Sequence, residues 1–306
     1  MIVFIVRRLL MGVGVVWALA SLCFAAMYLS GNPVAASLEA LGTPPAEVTR
    51  IVHEMGYDRP FLAQYFSFLG DALHGDFGRS FRYGVASSEL IGARVPATLE
   101  LALAAVIFTV VLAVPLGTIA GITRKGLVDQ CIQAFVSFGQ AVPTFVAGPL
   151  LILLLAVTWQ VLPFGNADSL AAVILPALTL SIHPVSRITR VLRASMRETA
   201  SMEYVRTARA KGLATTAVTV RHVLRNALLP VVTMVGLELT ALVGGAVVVE
   251  NVFGWPGLGT LTKNALMSSD YLLALGCIIY IGAAVVIVNV VTDCIYSFVD
   301  PRVTLR

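Results

Sequence analysis

Chemistry needs reactive groups within reach of one another, and this sequence offers few such sets. It contains no GxxxxGKS/T phosphate cradle, no GxSxG nucleophile elbow and no HExxH metal pair. Cys23, Cys131, Cys277 and Cys294 stand singly in apolar segments without CxxC spacing, so they read as packing residues. His183 is equally alone beside Pro184, and no metal-ligand cluster is expected. What remains is charge in unusual places. Glu238 interrupts an apolar run, where an ionised carboxylate is costly unless it faces a bundle interior or water. It is a candidate for lining a translocation pathway, with a hydrogen-bonded or protonated structural carboxyl as the alternative. Arg187, Arg190, Arg193 and Arg197 are spaced three, three and four apart, which puts them on one helical face. Their plain reading is a lipid-headgroup anchor.

The elements that must carry these residues are apolar. Of 306 residues, 58% are hydrophobic and only 12% charged, with a mean hydropathy of +0.88, which excludes an ordinary soluble domain. The formal charge of +4 is small, and its placement beside apolar runs points to membrane lipid and not to nucleic acid. A crossing helix needs about 20 apolar residues. Six runs of roughly that length occur, near Leu9–Leu29, Thr98–Ile122, Cys131–Val157, Leu170–Ser186, Ala227–Val249 and Leu272–Ser297. Glu100 and Asp293 lie near span ends, where snorkelling or pairing with a neighbouring helix is expected. The charge-free run from Leu9 to Leu38 follows Arg7 and Arg8 and is too long for a cleaved signal, so it reads as a retained first helix. Basic residues orient the set: with the N-terminus inside, fifteen of the 21 fall in interior segments. These include Arg124 and Lys125, nine between Arg187 and Arg225, and Arg302 with Arg306. An all-α membrane protein with six transmembrane helices and both termini cytoplasmic is the consistent solution.

The expected organisation is a lead and first crossing in residues 1–30, an extracytoplasmic loop in 31–96, a core of five crossings in 97–297 with a connecting loop at 187–226, and a cytoplasmic tail in 298–306. Within the first loop, Gln64–Leu69 with Leu73 predicts a short amphipathic helix ahead of the turn-rich Gly75–Asp76–Phe77–Gly78.

The connecting loop is the most informative segment. Ser201 is a candidate N-cap, Glu203 supplies a first-turn acid and Gly212 a stop, which predicts a helix of about three turns. Tyr204, Val205 and Ala208 share one side of it, so a small apolar ridge is expected to face the cytoplasm and a groove on a partner.

At these residues the sequence resembles a known family. Tyr204–Val205–Arg206–Thr207–Ala208–Arg209–Ala210–Lys211–Gly212–Leu213, followed by Arg221–His222–Val223–Leu224–Arg225–Asn226–Ala227–Leu228–Leu229–Pro230, is similar to the EAA loop of ABC importer permeases. The resemblance is to the dipeptide, oligopeptide, nickel and glutathione branch. Gly75–Asp76–Phe77–Gly78, Glu250–Asn251–Val252–Phe253–Gly254–Trp255–Pro256–Gly257–Leu258–Gly259 and Asp300–Pro301–Arg302 support it, nearly end to end. Where the general signature begins with Glu–Ala–Ala, this chain has Arg206, Thr207 and Ala208, so a salt bridge of that Glu is not carried over to Arg206.

The resemblance implies the type I importer permease fold in a bacterial inner membrane. The implied partners are a second homologous permease, two ATP-binding subunits that hold ATP and Mg, and an extracytoplasmic solute-binding protein, with no cofactor on this chain. It also implies that Glu203–Gly212 is a coupling helix, and that peptides are the solute ahead of nickel, a nickel chelate, glutathione or another small molecule. Phe253, Trp255, Pro256, Gly257 and Gly259 read either as an interfacial turn or as a re-entrant gate element near the outer mouth. An intramembrane enzyme lacks its catalytic groups here, and an ion-coupled secondary transporter lacks visible internal repeats.

Overall fold

The computed structural model describes residues 2–29, 31–54, 56–123, 126–165 and 169–299. Arg124, Lys125, Asp300–Pro301–Arg302, Arg302 and Arg306, and nearly all of the expected tail, lie outside the described residues. The helices are α1 (Ile2–Leu29), α2 (Pro33–Ala40), α3 (Pro45–Glu54), α4 (Phe61–Leu73), α5 (Ser87–Ile122), α6 (Leu127–Ala141), α7 (Thr144–Leu151), α8 (Ile174–Thr199), α9 (Glu203–Ala210), α10 (Thr215–Ala217), α11 (Arg225–Ala227), α12 (Leu229–Phe253), α13 (Leu258–Met267) and α14 (Tyr271–Val299). Two π-helical segments, Ile152–Thr158 and Val218–Leu224, continue α7 and join α10 to α11. Among the described residues the β pairing is a single bridge between Arg79 and Ala86.

Among the described residues, four helices are long and apolar enough to cross a membrane: α1 from Val6, α5, α12 and α14 to Cys294. A fifth results if α6 and α7 with its π turn count as one span, although the two are bent by 109°. The expectation of one helix over Cys131–Val157 is corrected by Pro143. Its ring disfavours helical backbone at the preceding residue, and Val142 is extended at φ −86°, ψ 119°. The run expected over Leu170–Ser186 begins at Ile174 and continues without a break through Pro184 to Thr199, so its second half carries the four arginines. That charge keeps α8 out of the set that length and composition identify.

The chain divides into two compact units. One comprises Met1–Glu100 and Gly254–Val290, and so takes in the first loop together with α13 and most of α14. Its core buries Phe24, Val34, Val48, Phe77, Leu272 and Leu275. The amphipathic helix expected around Gln64–Leu73 is α4. The loop also forms α2, capped by Asn32 Oδ1 accepting from the Val34 and Ala35 amides, and α3. In the turn after α4, Asp76 Oδ1 accepts from the Gly78 amide and the Phe77 side chain is buried.

The other unit comprises Leu101–Phe253 and Val291–Arg306. Here Ile188, Leu192 and Met196 recur at four-residue spacing on α8 and are buried, as an amphipathic helix requires. Helix α5 meets that stripe at two glycines. A Cβ at Gly117 would stand 2.8 Å from Leu192 Cβ, and one at Gly121 only 2.5 Å from Met196 Cβ, so the close crossing depends on both.

Candidate coupling site

Helix α8 ends at Thr199, and a short turn sets Met202 in extended backbone (φ −66°, ψ 148°) as the N-cap of α9. The expected cap is corrected: Ser201 Oγ donates to the Glu198 carbonyl and leaves the first turn of α9 alone. The helix stops as expected. Gly212 has φ +76°, a left-handed value that costs any other residue, while the Lys211 amide closes on the Thr207 carbonyl.

The apolar ridge is also corrected. Val205 and Ala208 are buried against Ile188, Leu192 and Met196 of α8 and against Val218 and Val223 of the π segment. They attach α9 to the rest of its own unit, and burying Val205 alone contributes about 1.5–3 kcal/mol. Tyr204 is 45% exposed, and Glu203, Arg206, Thr207, Arg209, Ala210, Lys211 and Gly212 are exposed as well. At about 100° per residue, Glu203, Arg206, Thr207 and Ala210 lie opposite Val205 and Ala208. The outward face of α9 is therefore polar around one small residue.

The arginine stripe finds acceptors within the protein. Arg193 makes a forked pair with Asp129 of α6, Nε to Oδ1 at 2.6 Å and Nη2 to Oδ2 at 2.8 Å. Arg197 Nη2 donates to the same Asp129 Oδ2 at 2.7 Å and to the Ala120 carbonyl of α5 at 3.1 Å. Asp129 is buried, so one carboxylate accepts three charge-assisted bonds and ties α6 to α8 just before α9. Arg190 donates to Gln140 Oε1. Arg187 Nη1 donates to Glu238 Oε1 at 3.0 Å, which places Glu238, buried in α12, in an ion pair with a half-exposed guanidinium. All four arginines thus have partners inside their own unit, three of them on the buried carboxylates of Asp129 and Glu238 and Arg190 on the exposed Gln140. Sequence reasoning missed Asp129 and Gln140. Asp129 stands at the third residue of α6, where an acid is ordinarily explained by the helix dipole and draws no further notice.

The expected outer element is divided between the units. Phe253 is buried in the one that ends with α12. In the other, Trp255 Nε1 donates to the Ala97 carbonyl at 2.8 Å, and the Leu258 amide donates to Thr98 Oγ1 at 2.8 Å. Arg94 Nη1 donates to the Pro256 carbonyl, and the Gly257 amide to the Trp255 carbonyl. Trp255 and Gly259 are buried. The indole is therefore held inside the unit by its bond to α5.

Residues 113–305 match the family described as binding-protein-dependent transport system inner membrane component, and residues 1–104 match its N-terminal membrane-component family. The chain is 37% identical to a putative peptide permease protein of Brucella suis over 99% of both chains. It is 33% identical to the dipeptide transport system permease protein DppB of Escherichia coli K12 over 99% of both. It is 35% identical to the oligopeptide transport system permease protein OppB of Haemophilus influenzae, again over 99% of both. Among solved structures, the inward-facing MetNI methionine ABC transporter superposes with a TM-score of 0.58 at 20% identity, covering 69% of this chain and 96% of that one, a likeness of fold. The chain belongs to the binding-protein-dependent transport system inner membrane components, in the dipeptide and oligopeptide branch of ABC importer permeases.

Proposed function

We propose that this chain forms half of the pathway by which an ABC importer carries di- and oligopeptides across a bacterial inner membrane. It crosses six times with both termini cytoplasmic: α1, α5, the bent α6–α7 pair, the first half of α8, α12 and α14. A second homologous permease completes the pathway, and an extracytoplasmic binding protein delivers the solute. Two ATP-binding subunits, which hold the ATP and Mg, supply the energy. The observation that carries this reading is the construction around α9, a short helix with a polar outer face whose inner face is packed on α8, itself tied to α6 through Asp129. A handle for an external motor requires those two properties together.

In this reading Glu203–Gly212 seats in a cleft of an ATP-binding subunit through Glu203, Tyr204, Arg206, Thr207, Ala210 and Lys211, while Val205 and Ala208 transmit its movement inward. Arg209 flanks the seat. Glu238, paired with Arg187, sits beside the pathway, where the exposed side of that pair can meet solute charge. Trp255, Pro256, Gly257 and Gly259 belong to a fixed element at the outer mouth, since the bonds from Trp255 and Leu258 to α5 hold the turn in place, and Phe253 closes α12 ahead of it in sequence.

Reconstitution tests the proposal. Proteoliposomes holding the chain with its partner permease, ATP-binding subunits and binding protein take up labelled di- or oligopeptides only when ATP is supplied. Uptake driven by an ion gradient without the ATP-binding subunits would overturn the coupling, and uptake of a nickel chelate or glutathione with no peptide uptake would overturn the solute.

A further inference from the structure

Helix α4 belongs to the first loop, and neither coupling nor the pathway accounts for it. Its sequence Phe61–Leu73 has no charged side chain before Asp71, with Arg59 just ahead of it. The helix carries three faces. Phe61, Tyr65 and Phe68 turn to α1, where Phe24 lies between 5.1 and 5.7 Å from all three ring centroids and Tyr28 stands edge-on to Phe61 at 4.9 Å. Gln64, Ser67 and Asp71 line a cavity of about 230 Å³ shared with Tyr57 and Arg59. The third face, Leu62, Phe66, Leu69 and Leu73, falls within about 60° at 100° per residue, with the Phe66 ring edge-on to its neighbour Tyr65 and Leu69 half-buried. Leu62, Phe66 and Leu73 are 63%, 65% and 87% exposed.

The contact with α1 fixes how deep α4 lies. Tyr65 Oη and Ser21 Oγ share a hydrogen bond of 2.6 Å. Ser21 is eight residues before the end of α1 at Leu29, about 12 Å along the helix axis. In a span of 24 residues, Val6–Leu29, that places Ser21 well inside a hydrocarbon core of about 30 Å. A helix packed against Ser21, Phe24 and Tyr28 therefore lies within the leaflet that holds the Leu29 end. On the same side of the bilayer α1 also exposes apolar side chains, at Leu22 and Leu29.

We infer that α4 is embedded in the leaflet at the Leu29 end of α1, with Leu62, Phe66, Leu69 and Leu73 against lipid acyl chains and Gln64, Ser67 and Asp71 toward the aqueous cavity. The first loop is thus a membrane-dipping structure whose occupant is lipid. Unpaired apolar surface of this size, beside a membrane-crossing helix and below the level of its end, finds its complement in the bilayer. The inference rests on α1 as a crossing helix and is independent of the solute and of α9.

The test uses the assembled importer in nanodiscs of phosphatidylethanolamine and phosphatidylglycerol, with nitroxide labels on Leu62→Cys, Phe66→Cys and, as the polar-face control, Ser67→Cys. The wild-type complex labelled in parallel gives the background from native cysteines, and uptake identifies variants that remain folded. Power-saturation spectroscopy compares relaxation by oxygen, which concentrates in lipid, with relaxation by a water-soluble nickel chelate. Oxygen is expected to dominate at 62 and 66, and the chelate at 67. Chelate dominance at 62 and 66 would overturn the inference in favour of a water-exposed helix. Immobilised spectra reached by neither reagent would overturn it in favour of a protein partner on this stripe.

Discussion

Asp129→Ala is the sharpest test of how α9 is held. The substitution leaves Arg193 and Arg197 with side chains only 26% and 27% exposed and without a countercharge. Breaking a buried ion pair by removing one partner costs about 3–5 kcal/mol. The partial exposure puts this site near the lower end, at about 3 kcal/mol. Because α9 joins the rest of its unit through α8 and the π segment, this cost falls on local opening of that region more than on global unfolding. At about 1.4 kcal/mol per factor of ten, amide protection across residues 188–227 falls by roughly a hundredfold. Hydrogen exchange followed by mass spectrometry on the assembled importer reads this directly, with α1 and α4 as internal controls whose protection stays unchanged. Adding Arg193→Met to Asp129→Ala removes one stranded charge and recovers part of the protection, a coupling that a double-mutant cycle isolates. Protection that stays at the wild-type level in Asp129→Ala would refute the reasoning, because the three bonds to Asp129 would then carry no net stability.

Four further outcomes are expected. Ala210→Trp, on the outer face of α9, abolishes ATP-driven uptake while assembly of the permease pair, read by size-exclusion chromatography, is retained. Ala208→Leu overfills the cluster around Met196 at a cost of about 1–3 kcal/mol and lowers the yield of folded chain, as a membrane-insertion and thermal-aggregation assay would report. Glu238→Gln removes the countercharge of Arg187 but keeps its shape, so the chain inserts normally and peptide uptake by proteoliposomes slows; unchanged uptake kinetics return Glu238 to a structural role. Trp255→Phe loses the bond to the Ala97 carbonyl, at about 0.5–1.5 kcal/mol, which thermal unfolding of the complex would register.

How much of this could be read from residues alone depended on the range of the interaction. Local rules worked: the period of Gln64–Leu73 located α4, and Gly212 marked the end of α9. The direction of α9 was not readable, because Val205 and Ala208 form the same apolar side whether that side packs on α8 or on a partner. The four arginines were correctly placed on one face. Their partners lie 50 to 68 residues away in sequence, at Gln140, Glu238 and Asp129, and helical spacing carries no information about them. At Val142 the restraint imposed by the next residue was available, but apolar length alone joined α6 to α7. The partner of Trp255 was hidden for a related reason, since the Ala97 carbonyl that its indole meets lies 158 residues away in sequence.

Helix α8 runs 26 residues from the bilayer to α9 without interruption, about 39 Å of continuous backbone. In mechanical terms it is a lever. With Asp129 as a fulcrum near its α9 end, the arm on the α9 side is short and the arm on the membrane side is long. Arg193 lies six residues from Thr199 and nineteen from Ile174, an arm ratio of about one to three by helix rise. A displacement of about 1 Å at the short end becomes about 3 Å at the far end. If α9 is the handle proposed above, a small stroke of the ATP-binding subunits is enough to part side chains at the far end of α8, and its force is reduced in the same proportion.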